Sequence, residues 1–195
     1  MNTLLIVAHP NPASFNKNGI VETIIGTLKE KKHEVVVRDL YELNFNPVLS
    51  GADFAAFASG TVPADIETER NFISWANNIV FVYPIWWIGR PAIMQGYFDR
   101  ILGFNFAFTV DENGARGLLK TEKAIVINTL GTAEFVYDAW PDSKDLVSRP
   151  IVEGVLGYCG IKNVKQLSFY GIAGSTEEQR STILSEIKSE IANLY

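Results

Sequence analysis

Short apolar runs alternate along the chain with stretches whose apolar residues recur at helical spacing. Residues 4–8 form an unbroken apolar run that stops at His9-Pro10, the pattern of a strand buried on both faces. From about residue 18 to 32 the spacing changes, and Ile20, Ile24, Ile25 and Leu28 share one helix face. Residues 34–38 are rich in valine and read as a second strand. Residues 79–83 and 123–128 give the third and fourth strands, and 163–169 the fifth. The third stops at Pro84. Helices are predicted from Pro91, tolerated in a first turn, to about residue 102, and over 66–77. Another is predicted from Pro150 to about Cys159, closed by Gly160. Ser175 and Thr176, with Glu177 and Glu178, offer N-cap chemistry to a last helix striped by Ile183, Ile187 and Ile191. Residues 39–65 are irregular, broken at Asn46-Pro47, Ser50-Gly51 and Ser59-Gly60, with room for a short helix at 53–57.

Buried strands alternating with helices predict an α/β fold with a parallel sheet covered on both faces. Crossovers are right-handed, and for five strands the doubly wound order 2-1-3-4-5 is the natural solution. One domain over residues 1–195 is expected. Ligands of such sheets bind beyond the carboxyl ends of the strands, near the point where the order reverses. That rule singles out the loops after Ala8, Tyr83 and Asn128.

The first loop lacks the glycine pattern of a dinucleotide fingerprint and the Gly-Lys-Ser/Thr of a P-loop. Ser14 and Asn16 stand beside a helix N-terminus, where free amides and the helix dipole favour an anion such as phosphate. Each residue serves equally as a plain N-cap. His9 is either a structural histidine at a strand end or a donor to that anion. The second loop places Trp86 and Trp87 together directly after the third strand. They suit the wall of a flat aromatic ligand, a hydrophobic plug or a subunit contact. The third loop, Asn128-Thr129-Leu130-Gly131-Thr132, can present amides to a ring edge. The stretch to Ser148, with Phe135, Tyr137 and Trp140, reads as a cap, and Phe104, Phe106 and Phe108 add aromatics that stack substrate or fill core.

Composition narrows the partners. A hydrophobic fraction of 47% and a charged fraction of 20% suit a folded globular chain. With 17 basic and 22 acidic residues the net charge is −5, and Glu30 interrupts the densest basic stretch, so no nucleic-acid partner is expected. Cys159 is the one cysteine, which excludes an intrachain disulfide and suits a reducing compartment. The N-terminal apolar run is too short for a signal peptide or a membrane span, so a cytoplasmic protein without membrane insertion is expected.

In order along nearly the whole chain stand His9-Pro10, Ser14-Phe15-Asn16, Asp39-Leu40-Tyr41 and Phe45-Asn46-Pro47. Tyr83-Pro84-Ile85-Trp86-Trp87 with Gly89 and Pro91 follows, then Phe98-Asp99-Arg100 and Phe106-Ala107-Phe108-Thr109. This set resembles the NAD(P)H:quinone oxidoreductases of the flavodoxin-like superfamily, in their short bacterial form. The resemblance implies a bound flavin, with FMN favoured by the short chain and FAD as the alternative. It implies two-electron transfer from NAD(P)H to quinones or similar acceptors by a ping-pong mechanism, in a homodimer with sites at the interface. Carried over by position, His9, Ser14, Phe15 and Asn16 hold the flavin phosphate. Pro84, Ile85, Trp86, Trp87 and Ile88 pass along the isoalloxazine, and Asn128, Thr129, Leu130 and Gly131 face its pyrimidine edge. Phe106 and Phe108 help form the acceptor pocket from the neighbouring subunit.

The chain departs from the family in three places. Asn128-Thr129-Leu130-Gly131 replaces Thr-Thr-Gly-Gly, so Leu130 either crowds the ring or donates through its backbone. Trp86 stands where a glutamine or methionine is usual. The cap carries no histidine, which leaves Tyr137 as the candidate catalytic side chain. The rival functions are a flavodoxin-type electron carrier, a regulatory subunit of a potassium-efflux system, and an azo- or nitro-compound reductase.

Overall fold

A computed structural model describes residues 1–193. Its main sheet contains β1 (Asn2–Val7), β2 (Glu34–Asp39), β3 (Asn78–Pro84), β6 (Lys123–Thr129) and β7 (Asn163–Phe169), in the order β2-β1-β3-β6-β7. All four pairings are parallel. The order expected for the five long strands is therefore the one observed. β1 lies between β2 and β3, with Leu5 opposite both Val37 and Val80. The chain winds outward in both directions from there, and the β1 and β3 ends flank the crevice.

Each face of the sheet carries its own apolar cluster. On one side, Leu5, Val7, Val80, Val82, Ile125 and Ile127 pack under Ile20, Ile24 and Leu28 of the first helical stretch and Ile187 and Ile191 of α7 (Glu177–Ala192). On the other, Leu4, Ile6, Phe81, Tyr83 and Val126 meet α3 (Ala64–Trp75), α4 (Ala92–Ile101) and α6 (Ser143–Ile151). The central strands are buried on both faces, which accounts for their unbroken apolar runs.

Several elements differ from the sequence reading. The first helix opens as a π-helical turn at Asn16–Val21 before α1 (Glu22–Glu30). The short helix in the irregular stretch is α2 (Gly51–Ala58), stapled by a capping box in which Ser50 and Asp53 satisfy each other's amides. Pro150 does not start a helix. It lies in the last turn of α6, and a π-helical turn (Val152–Gly157) follows. A proline removes one ladder bond and crowds the preceding turn, and a wider turn relieves this. The expected cap contains α5 (Glu134–Asp138) as well as the start of α6. A hairpin of β4 (Phe108–Asp111) and β5 (Gly114–Gly117) was not expected, although Asn113-Gly114 is a turn signal and Gly114 takes a φ of +104°.

Buried charge ties the edges of this architecture. Arg100 of α4 is 3% exposed and donates to both Asp53 oxygens (3.2 and 3.0 Å), to Asp65 (2.7 Å) and to the Asn46 carbonyl (2.8 Å). One guanidinium thereby fixes α2, α3 and the irregular stretch to α4. Arg38 of β2 pairs with Glu69 of α3, which also accepts from the Tyr97 hydroxyl at 3.2 Å. Beside this, α4 approaches Pro47 so closely that a Cβ on Gly96 would stand 2.1 Å from the Pro47 carbonyl oxygen.

Two outcomes follow. Arg100→Met strands the buried Asp53 carboxylate and should cost about 3–5 kcal/mol in urea unfolding. The hydrogen bonds from Arg100 hold the Asp53 carboxyl below its ordinary 3.8, with the Ser50 cap helping and burial opposing. The stabilisation is thus present above about pH 4 and is lost as pH falls through the lowered value. Acid titration of stability should be shallower in Arg100→Met than in the parent.

Candidate functional site

Three contacts draw the three loops together. The Thr129 hydroxyl donates to Asn16 Oδ1 at 2.7 Å, joining the third loop to the first. The Ile85 amide donates to the Thr129 carbonyl at 2.8 Å, joining the second to the third. The His9 and Trp86 rings meet edge to face at 6.3 Å, joining the first to the second. The crevice at the reversal point of the sheet is therefore a pre-assembled pocket rim.

The first loop is folded by its own side chains. The Asn11 amide donates to His9 Nδ1 at 3.1 Å, the Ala13 amide to Asn11 Oδ1 at 2.9 Å, and the Ser14 amide to the Asn11 carbonyl at 3.1 Å. Nδ1 also lies 3.2 Å from the Asn11 carbonyl, so it either accepts from the amide with the ring proton on Nε2 or donates to the carbonyl. Burial is the largest influence on His9 and lowers its pKa below the ordinary 6.5, with the Lys17 charge acting the same way and Asn11 opposing. Ser14 accepts from the Lys17 amide at 3.3 Å, so it is a cap as well as a rim residue. Asn16 is 2% exposed, and its Nδ2 has no hydrogen-bond partner among the described residues. A buried amide nitrogen beside a helix start, with its oxygen already held by Thr129, is a donor awaiting an acceptor. Lys17 is drawn off to Asp39 and Glu42, leaving the anion position to neutral donors.

The second loop is a tight turn. Trp86 and Gly89 exchange two backbone hydrogen bonds of 2.9 Å, and Trp87 and Ile88 between them both have positive φ, 52° and 63°. This is the geometry of a type I′ turn, which favours Asn-Gly at its centre. A tryptophan and a β-branched isoleucine are strained there, and such strain gathers at ligand clamps. The turn holds Trp87 wholly exposed and Trp86 42% exposed. Pro84 and Ile85 are buried beneath them, with Ile88 half-buried.

In the third loop only part of the expected edge faces outward. Asn128 is fully buried, with Oδ1 accepting from Gln166 Nε2 at 2.8 Å, so its side chain belongs to the sheet interior. Leu130 is 1% exposed and packs into the core, which removes the concern that it crowds a ring. Gly131 is exposed, with open space where a Cβ would stand. Tyr137 is buried between Trp140 and Tyr170, at 5.6 and 5.5 Å between ring centres.

Phe106 and Phe108 stand apart from these loops. Phe106 lies under the Arg70 guanidinium at 4.8 Å, and Phe108 packs between Phe104 and Tyr158. Arg180 of α7 was not singled out by sequence reasoning. Its guanidinium sits 5.4 Å from the Phe15 ring, and it helps line a cavity of about 540 Å³ with Ser14, Phe15, Asn18, Gly19 and Ser175. No local motif marks a residue that far along the chain as a neighbour of the first loop. Among the described residues there is no cluster of metal-ligating side chains, and no helix is long and apolar enough to cross a membrane.

A doubly wound parallel sheet with a crevice at its reversal point, rimmed by the first loop and the tryptophan turn, is the architecture of a flavodoxin-like fold. The chain belongs to a family described as having a flavodoxin-like fold, which it matches over residues 1–194. An NAD(P)H oxidoreductase of Haemophilus influenzae, itself uncharacterised, is 39% identical over 165 residues, covering 85% of this chain and 81% of that one. NAD(P)H dehydrogenase (quinone) 1 of Cavia porcellus is 29% identical over 211 residues, covering 98% of this chain and 76% of that one. The solved structure of an NAD(P)H:quinone oxidoreductase from Methanothermobacter marburgensis superimposes with a TM-score of 0.86 at 28% identity, covering 100% of this chain and 96% of that one.

The strained turn makes a direct test. Replacing Trp87→Asn together with Ile88→Gly should raise stability by about 1–3 kcal/mol in urea unfolding, because each non-glycine left-handed residue costs roughly 1–2 kcal/mol. A loss of stability would show that the indole and isoleucine side chains pack well enough to outweigh their backbone strain.

Proposed function

We propose that this protein is a flavin-dependent NAD(P)H:quinone oxidoreductase, one flavin-binding domain acting as a cytoplasmic homodimer. The observation that carries the reading is the converged rim, with the unpartnered Asn16 Nδ2 at its anion end and Trp86 and Trp87 at its ring end. The relatives named above are NAD(P)H oxidoreductases, and two are named for quinones.

When bound, the flavin would supply hydride transfer from NAD(P)H to the acceptor, donor and acceptor using one face in turn. The chain's own residues bind, orient and exclude water. His9 Nε2, Ser14, the amides of Phe15 and Asn16, and Asn16 Nδ2 would hold the phosphate. Pro84, Ile85 and Ile88 would form a floor, with Trp86 and Trp87 as walls that keep water from the ring. The Gly131 backbone amide would face the pyrimidine edge and stabilise negative charge there as a preorganised donor, since the Leu130 amide already donates to the Phe169 carbonyl at 2.8 Å. Tyr137, held by Trp140 and Tyr170, is the proposed phenol donor. Phe106 and Phe108 would reach the acceptor pocket of a second copy, since their partners in this chain lie outside the three loops. Exposed Phe104, Val110 and Tyr158 around Phe108 offer an apolar surface for that contact.

A second observation bears on the form of flavin. The Arg180 cavity shares Ser14 and Phe15 with the phosphate loop, so an adenylate joined to that phosphate has a place to lie. This favours FAD over the FMN suggested by chain length.

The purified protein should be yellow. Anaerobic NADPH or NADH should bleach it, and a simple quinone should restore the colour. Bleaching only through an added reductase would instead support the electron carrier, and failure to take up FMN or FAD would refute the reading. Arg180→Ala should weaken FAD at least tenfold while leaving FMN binding unchanged, measured by quenching of flavin fluorescence. Equal loss of both would place Arg180 outside an adenylate site.

A further inference from the structure

A smaller cavity of about 220 Å³ lies behind the tryptophan turn, lined by residues that include Tyr83, Ile85, Ile88, Arg90, Leu146 and Val147. Its walls are apolar apart from the polar groups of Tyr83, Gln95 and Arg90. Arg90 is the residue that follows the strained turn, and its guanidinium stacks 5.3 Å from the Phe98 ring. Its Nη1 is buried and meets no acceptor among the described residues. The ion pairs of half-buried Arg38 with Glu69 and of buried Arg100 with Asp53 and Asp65 have no counterpart at half-buried Arg90 among the described residues. Gln95, at the cavity edge, is engaged with Asp99 at 2.7 Å and does not neutralise it.

A guanidinium desolvated on one side and uncompensated is costly, and the cost falls when an anion completes it. Arg90 as a whole is half-buried and lines the cavity, so a counter-ion can approach the accessible side of its guanidinium there. We propose that Arg90 and this cavity form a binding site for a small organic carboxylate. One guanidinium matches one carboxylate through two parallel hydrogen bonds. The apolar walls of Ile85, Ile88, Leu146 and Val147 suit a short hydrocarbon body. A phosphate, with two charges and no apolar part, suits them poorly. The volume is several times the roughly 30 Å³ that one water occupies in the liquid, so a carboxylate of a few carbons has room. Because Ile85 and Ile88 also belong to the second loop, occupancy would brace the turn that carries Trp86 and Trp87.

The test uses propionate as the probe, with propionamide as its uncharged isostere and chloride to match ionic strength. Propionate should raise the melting temperature saturably and show saturation transfer in proton NMR, while propionamide should do neither. Arg90→Gln should weaken propionate at least tenfold, in line with the loss of charge-assisted bonds. Leu146→Trp, which fills the cavity mouth and leaves Arg90 in place, should also abolish binding, so the inference survives a poorly folded Arg90 variant. Absence of saturable propionate binding, or equal binding by both variants, would overturn it. So would an Arg90→Gln protein that changes only its oligomeric state, since the guanidinium would then serve a contact between copies. The carboxylate's source can be read separately. A carboxylated quinone whose KM rises in Arg90→Gln while that of its neutral parent is unchanged places the carboxylate on the acceptor. Unchanged KM values for both, with propionate binding still lost, make it a free ligand. Only this last comparison rests on the oxidoreductase reading.

Discussion

Thr129 holds the three loops in register. Its hydroxyl reaches Asn16 and its carbonyl takes the Ile85 amide, so the ends of β6, the first helix and β3 share one residue. These contacts depend on the parallel sheet, because only strands running the same way deliver their carboxyl ends to one edge. The β1 position between β2 and β3 then opens the crevice, since the helices that follow β1 and β3 leave on opposite faces. A ligand entering there meets loops that are already positioned.

The rim is stiff in some places and strained in others. The first loop is self-bonded through His9, Asn11 and Ser14, and the buried Asn16 amide leaves one donor unspent. The second loop accepts left-handed backbone at Trp87 and Ile88 to push an indole into solvent. A chain selected for stability alone would place Asn-Gly at such a turn. Beneath these loops Arg100 is paired with Asp53 and Arg38 with Glu69, while Arg90, adjacent to the turn, has no ion pair among the described residues. An unsatisfied buried donor at Asn16 and backbone strain at Trp87 and Ile88 thus meet at the carboxyl edge of the sheet.

Much of this was legible in the residues. The five long strands announced themselves because strands buried on both faces must be apolar throughout, and the order followed from handedness and strand number. The loops to inspect followed from that order, and the structure brings the first loop and the tryptophan pair together at the crevice. The hairpin β4–β5 was overlooked despite Asn113-Gly114, because its strands are short and lack a buried face. Pro150 misled, since a proline near a helix end and one at a helix start look alike in one dimension.

By itself the sequence determined the parallel sheet, the location of the crevice and the kinds of side chain at its rim, because periodicity and strand order are properties of local spacing. Only the tertiary structure decided which way those side chains turn. Asn128 and Leu130 face inward while Gly131 faces out, because hydrogen bonds to Gln166 and packing in the core claim the first two. Only the fold brought Arg180 to Phe15 and left Arg90 Nη1 without a hydrogen-bond acceptor among the described residues. Those are contacts between residues far apart in the chain, or the lack of one, and no local pattern encodes them.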